Sequence, residues 1–94
     1  MKISAHCGGG LAGQVEHIKI DTANQPDGQA IETLLEDLAF FSAAPPAAVG
    51  ADLSRCTITA DDGPRRHTLS FAEDGSAASA PWQALMARLR AAAR

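Results

Sequence analysis

Tyrosine is absent from this 94-residue chain, and Trp82 is its only tryptophan. Aromatic mass is therefore scarce, and the core must come mostly from Ile, Leu and Val with Phe40, Phe41 and Phe71. A chain of this length makes one domain, residues 1–94, with one modest core. Basic residues are also few. A net charge of −3 leaves no basic face for phosphate contacts, which argues against nucleic acid as a partner. No apolar run approaches the ~20 residues of a membrane span. Met1-Lys2-Ile3-Ser4-Ala5-His6 alternates and lacks an apolar h-region, so no signal peptide is visible and a soluble cytoplasmic protein is expected.

Cysteine is sparse too. Cys7 and Cys56 stand far apart with no C-x-x-C, each inside a strand-like run. Two reduced, half-buried core thiols are expected; a disulfide between adjacent strands is the alternative. Neither cysteine sits at a helix N-terminus that would activate it, and there is no G-x-S-x-G. Asp61 and Asp62 are explained by turn chemistry. An enzyme is not expected, nor is a cofactor.

What the chain does have is glycine in one place. Gly8, Gly9, Gly10 and Gly13 surround Leu11 and Ala12. As a string this is a G-x-G-x-x-G dinucleotide fingerprint. That motif must close a strand and open a helix to cradle a phosphate. Here it leads into Gln14-Val15-Glu16-His17-Ile18-Lys19-Ile20-Asp21-Thr22, which is β-branched and has no helical stripe. The run therefore reads as a hairpin tip carrying Leu11.

The remaining pattern gives the order ββαββα. Ile3, Ala5 and Cys7 alternate with polar residues, and Ile18 and Ile20 share a face of the second strand. Val15 is out of phase with them, which a bulge near Glu16 or His17 would repair. Asp27 is placed to cap a helix whose stripe is Ile31, Leu34, Leu35, Leu38 and Phe41 or Ser42, ending before Pro45-Pro46. Pro45 to Leu53 reads as a long loop. Cys56, Ile58 and Ala60 then alternate in a third strand. Asp61-Asp62-Gly63-Pro64 is a turn, and His67, Leu69 and Phe71 alternate in a fourth strand. Ser79 and Pro81 open a last helix with the stripe Trp82, Leu85, Met86 and Leu89. The fold class is α+β: two hairpins forming a four-stranded antiparallel sheet, with two helices on one face.

Few constellations carry chemistry. His6 falls opposite Glu16 or His17, but a zinc site needs three or four ligands. Arg88, Arg90 and Arg94 suit the C-terminal end of the last helix dipole. Two features remain without a structural role: the Leu11–Ala12 tip and Asp52 in the long loop. If strand order brings both to one end, they make a binding surface for something with a pocket and a cation. Otherwise Leu11 tucks onto the core and Asp52 begins the third strand.

The chain resembles the emfourin-like proteins, small bacterial inhibitors of thermolysin-family metalloproteases such as protealysin. The resemblance lies in Gly8-Gly9-Gly10-Leu11-Ala12-Gly13, Asp21-Thr22, Leu34-Leu35-Glu36-Asp37-Leu38-Ala39-Phe40-Phe41, Gly50-Ala51-Asp52, and the run from Thr57 to Leu69. Two positions depart from the family pattern: Leu11 stands where an aromatic is expected, and Cys56 where tyrosine is expected. The resemblance implies a protein inhibitor working through two loops. One loop aspartate, Asp52, would coordinate the catalytic zinc of the target; Asp21 and Asp27 are the other candidates. Gly10, Leu11 and Ala12 would meet the substrate subsites. The implied partner is a thermolysin-like protease and a monomer is expected. A non-inhibitory interaction module of the same fold, with a changed target, is the alternative.

Overall fold

The structure is a computed structural model, and it describes residues 1–8, 16–44, 55–72 and 77–93. Four strands are present: β1 (Lys2–Gly8), β2 (Glu16–Asp21), β3 (Arg55–Asp61) and β4 (Arg66–Ala72). They form one antiparallel sheet in the order β2-β1-β3-β4. The helices are α1 (Gly28–Asp37) and α2 (Ala80–Ala92), so the expected ββαββα order and α+β class are what the chain forms. The two hairpins meet through β1 and β3, which are the central strands.

Period-two alternation sets the two faces of the sheet. Ile3, Ala5, Cys7, Ile18, Ile20, Cys56, Ile58, Ala60, Leu69 and Phe71 all point to one side and are buried. There they join Ile31 and Leu35 of α1 and Trp82, Leu85, Met86 and Leu89 of α2 in one core. The other side carries Lys2, Ser4, His6, His17, Lys19, Thr57, Thr59, Thr68 and Ser70, none of them buried. Cross-strand hydroxyl pairs tie that side together: Thr57 to Ser70 and Thr59 to Thr68, each at 2.9 Å.

The register corrects the reading of the first hairpin. β1 and β2 pair without interruption from Lys2↔Asp21 to Cys7↔Glu16. Glu16 and His17 therefore occupy ordinary ladder positions, and no bulge lies there. Val15 lies outside the described residues. The second hairpin turns as expected, with Gly63 at φ 102° and its N–H donating to Asp61 Oδ1 at 2.9 Å.

Helix α1 is shorter than its apolar stripe. Leu38 closes it, Ala39 adopts a left-handed φ of 51°, and Phe40–Ser42 forms a 3₁₀ turn. That reversal rotates the following residues off the helical stripe. Phe40, and not Phe41 or Ser42, is consequently the residue driven into the core, fully buried. Its ring stands edge-on to His67, Phe41 and Trp82 at centroid distances of 5.4, 5.7 and 6.2 Å. Phe41 is half-buried at the edge of the core, beneath the guanidinium of Arg65, which stands 4.2 Å from its ring centroid.

The caps follow the sequence in position but not in chemistry. Asp27 and Ser79 occupy the N-cap sites of α1 and α2, yet neither side chain bonds the first turn. The Asp27 carbonyl accepts from the Ile31 N–H at 3.0 Å. Pro81 sits in the first turn of α2, where a missing N–H is harmless.

Candidate functional site

Four strand ends meet at one end of the sheet. Gly8, the last residue of β1, pairs with Arg55, the first of β3, and Arg55 pairs with Ala72, the last of β4. Glu16, the first residue of β2, pairs with Cys7 beside them. Gly10, Leu11 and Ala12 follow Gly8 closely, and Asp52 shortly precedes Arg55; all four lie outside the described residues. Their stems are thus next-door neighbours on the two central strands.

The two alternative carboxylates sit elsewhere. Asp21 pairs with Lys2 at the opposite end of the sheet, about 20 Å along the strands from Gly8. Its Oδ1 accepts from the Ala23 N–H at 3.1 Å and lies 3.9 Å from the N-terminal ammonium. It is occupied in closing its own turn. Asp27 stands at the start of α1 and belongs to neither strand end.

The Gly8–Arg55 end of the sheet is fastened in two ways, by the disulfide that the sequence left as the alternative and by a contact from α2 that it did not assign. Cys7 and Cys56 are register partners and are joined in a disulfide with a Cα–Cα distance of 4.0 Å. The expectation of two reduced thiols is overturned. Alternation makes both cysteines face inward, and β1–β3 pairing sets them directly opposite. Both half-cystines are buried, Cys7 at 6% exposure and Cys56 at 0%. The second fastening comes from α2. Arg90 donates through Nε to both carboxylate oxygens of Glu16, at 3.0 and 3.2 Å, and its Nη2 lies 3.6 Å from Cys7 Sγ. The residue that reads as a dipole-complementing arginine thus also holds the start of β2.

The histidines make no complete metal site. His6 is paired with His17, their ring centroids 5.7 Å apart on the open face. Among the described residues no group of three metal-ligating side chains comes together. His67 faces inward, with Nε2 2.9 Å from the carbonyl oxygen of Ala43, and it anchors the chain after α1.

Among the described residues, a charge cluster around Arg65 lies away from the Gly8–Arg55 end. Arg65 donates to Asp62 Oδ2 from Nε at 2.9 Å and from Nη2 at 2.7 Å, and to Glu36 Oε1 at 3.0 Å. Those hydrogen bonds hold the Asp62 carboxyl below the usual carboxylate range. The cluster ties the second hairpin turn to α1, and its chemistry is structural. A shallow depression on the open face, lined by Lys2, Lys19, Asp21, Asp61 and Arg66, lies at that same far end. Among the described residues no helix is long and apolar enough to cross a membrane.

No curated protein and no solved structure matches the chain. A family model named Emfourin matches residues 6–90, from the middle of β1 to the last turn of α2. The match takes in β2, β3, β4 and α1 whole and α2 as far as Arg90, along with the stretches of sequence that hold Leu11 and Asp52. The chain therefore belongs to the Emfourin family, a family of protease inhibitors, and its general role is protease inhibition.

Proposed function

We propose that this protein inhibits a thermolysin-family, protealysin-like zinc metalloprotease through a two-segment site. Asp52 is directed at the catalytic zinc of the enzyme. Gly10, Leu11 and Ala12 enter the substrate subsites. A catalytic zinc keeps one position for water, and a carboxylate oxygen can take it. Leu11 supplies the apolar contact, and the flanking glycines let the backbone follow a narrow cleft. The inhibitor acts as a monomer, and the metal in the complex is the enzyme's own.

The single observation that supports this reading is the pairing of Gly8 with Arg55. It brings the stems of both segments to the same sheet end, as a two-segment site requires. It also favours Asp52 over Asp21, which lies at the other end and is engaged by the Ala23 N–H.

The test is inhibition of thermolysin by wild type, Asp52→Ala and Leu11→Gly. Asp52→Ala is expected to raise the inhibition constant about a hundredfold, the scale of losing one buried charged contact. Leu11→Gly is expected to raise it about tenfold or more, the scale of one buried leucine. Full inhibition by both variants would refute the site. Absence of inhibition by wild type, against thermolysin and protealysin alike, would favour the non-inhibitory module that the leucine at position 11 suggests.

A further inference from the structure

We propose that the Cys7–Cys56 disulfide is a redox latch on the inhibitory end of the sheet. In the oxidised form it pins Gly8 beside Arg55; reduction by a dithiol frees them and weakens inhibition. The inference rests on the two-segment reading above, but part of its test does not.

Placement is the first argument. The bridge joins the two central strands near one end of each, one residue inside Gly8 on β1 and one inside Arg55 on β3. It crosses a sequence separation of 49 residues, so it is a covalent shortcut between segments that the chain itself connects only by a long path. A core staple anywhere else in the sheet would stabilise the fold without touching the spacing of these stems. Here the bond governs that spacing directly. Binding segments held at the right spacing before binding lose less freedom when they bind.

The second argument is the surroundings of the bond. Arg90 brings a guanidinium to within 3.6 Å of Cys7 Sγ, and a neighbouring cation favours the thiolate that a broken disulfide leaves behind. The exchange is balanced as follows. A thiolate of the dithiol attacks Cys7 Sγ, the less buried of the two sulfurs, forms a mixed disulfide and expels Cys56 as a thiolate. The second thiol of the reductant, as its thiolate, then attacks the reductant's own sulfur in the mixed disulfide and expels Cys7 as a thiolate beside Arg90. Two protons from the reductant's thiols end on Cys7 and Cys56, and the reductant leaves as its cyclic disulfide.

The third argument is that the rest of the sheet has its own pairing. On the inner side of the bond β1 and β3 pair in unbroken register from Lys2↔Asp61 to His6↔Thr57, and the flanking β1–β2 and β3–β4 pairs are equally continuous; of the β1–β3 pairs only Gly8↔Arg55 lies beyond it. Reduction therefore loosens one end of a sheet that stays paired.

The experiment compares air-oxidised wild type, wild type reduced with dithiothreitol, and Cys7→Ala/Cys56→Ala. The reductant is removed by anaerobic gel filtration, because a free dithiol would itself bind the zinc of the protease. Thermolysin inhibition and amide hydrogen exchange at Gly8 and Arg55 are both read, well below the melting temperature. The expected result is an inhibition constant about tenfold higher for the reduced and double-alanine forms, with faster exchange at both amides. An unchanged inhibition constant, with oxidised wild type inhibiting, would overturn the latch and leave a plain structural staple. So would two alkylatable thiols in the air-oxidised protein. If no form inhibits any such protease, the functional reading fails by itself. The latch is then judged by exchange alone: acceleration at Gly8 and Arg55 supports it and unchanged rates overturn it. Should the double variant not fold, reduced wild type carries the comparison.

Discussion

Gly28, the first residue of α1, packs its backbone so closely on Thr22 that a Cβ there would stand 1.9 Å from the Thr22 carbonyl oxygen and 2.7 Å from its carbonyl carbon. The obstacle is backbone, so no rotamer change relieves it. Thr22 is itself fixed, its N–H donating to the Met1 carbonyl at 2.9 Å and its hydroxyl to the Glu32 carboxylate. Gly28→Ala is therefore expected to cost about 3 kcal/mol, within the range of severe overpacking. Thermal unfolding checks this, with a melting temperature lowered on the order of 10 °C or more. A neutral substitution would show that α1 can shift away from Thr22.

Ala39 gives the opposite expectation. Its φ of 51° and ψ of 45° put an L-residue in the left-handed region, where the side chain crowds the following carbonyl. Glycine removes that penalty of roughly 1–2 kcal/mol but adds freedom to the unfolded chain. Ala39→Gly is expected to stabilise by about 0.5–1 kcal/mol, and Ala39→Val to destabilise by more than that. Denaturant midpoints at unchanged slope are the measurement.

The disulfide sets a third expectation, on stability alone. Closing a 49-residue separation restricts the unfolded ensemble by up to about 4 kcal/mol in the chain-entropy account, and measured bridges give about 2–4. Cys7→Ala/Cys56→Ala is expected to lower the melting temperature on the order of 10–20 °C while retaining its circular dichroism spectrum. A loss under 3 °C would mean that the sheet alone holds these strands.

The fourth expectation concerns pH. Arg65 hydrogen bonds hold the folded Asp62 carboxyl below its ordinary 3.8. A depressed folded value means the unfolded chain binds the proton more readily. The contribution of Asp62 to stability is thus complete above 3.8 and is lost as the pH falls through the lowered folded value. Arg65→Met is expected to return the Asp62 titration, followed by carboxyl NMR shifts, toward 3.8. Its stability difference from wild type should shrink with acidification. That difference is small even at neutral pH, because the Arg65 side chain is 48% exposed and water screens the pair. A midpoint unmoved by Arg65→Met would remove the arginine as the cause.

Particular elements show how much of this was legible from residues alone. The strands were, because alternation of Ile3, Ala5, Cys7 and of Cys56, Ile58, Ala60 admits one inward face, which the core confirms. α2 was, since Trp82, Leu85, Met86 and Leu89 fall on one stripe and all are buried. The end of α1 was not. The apolar stripe runs on to Phe41, but Ala39 leaves the helix and rotates Phe40 inward instead. A left-handed alanine has no composition signal, because glycine or asparagine is the usual residue there.

The proposed site divides along the same line. Its residue types, an aspartate between Pro45 and Leu53 and a leucine among Gly8, Gly9, Gly10 and Gly13, stand in the sequence, as does the inward phase of both cysteines. Pattern along a chain reports which face a side chain takes, since the backbone period is local. It does not report which strands lie side by side. Only the pairing of β1 with β3 sets Gly8 beside Arg55 and joins Cys7 to Cys56. Those contacts join residues some fifty positions apart, and they arise from burying the inward faces of both hairpins under two helices, which no local signal encodes.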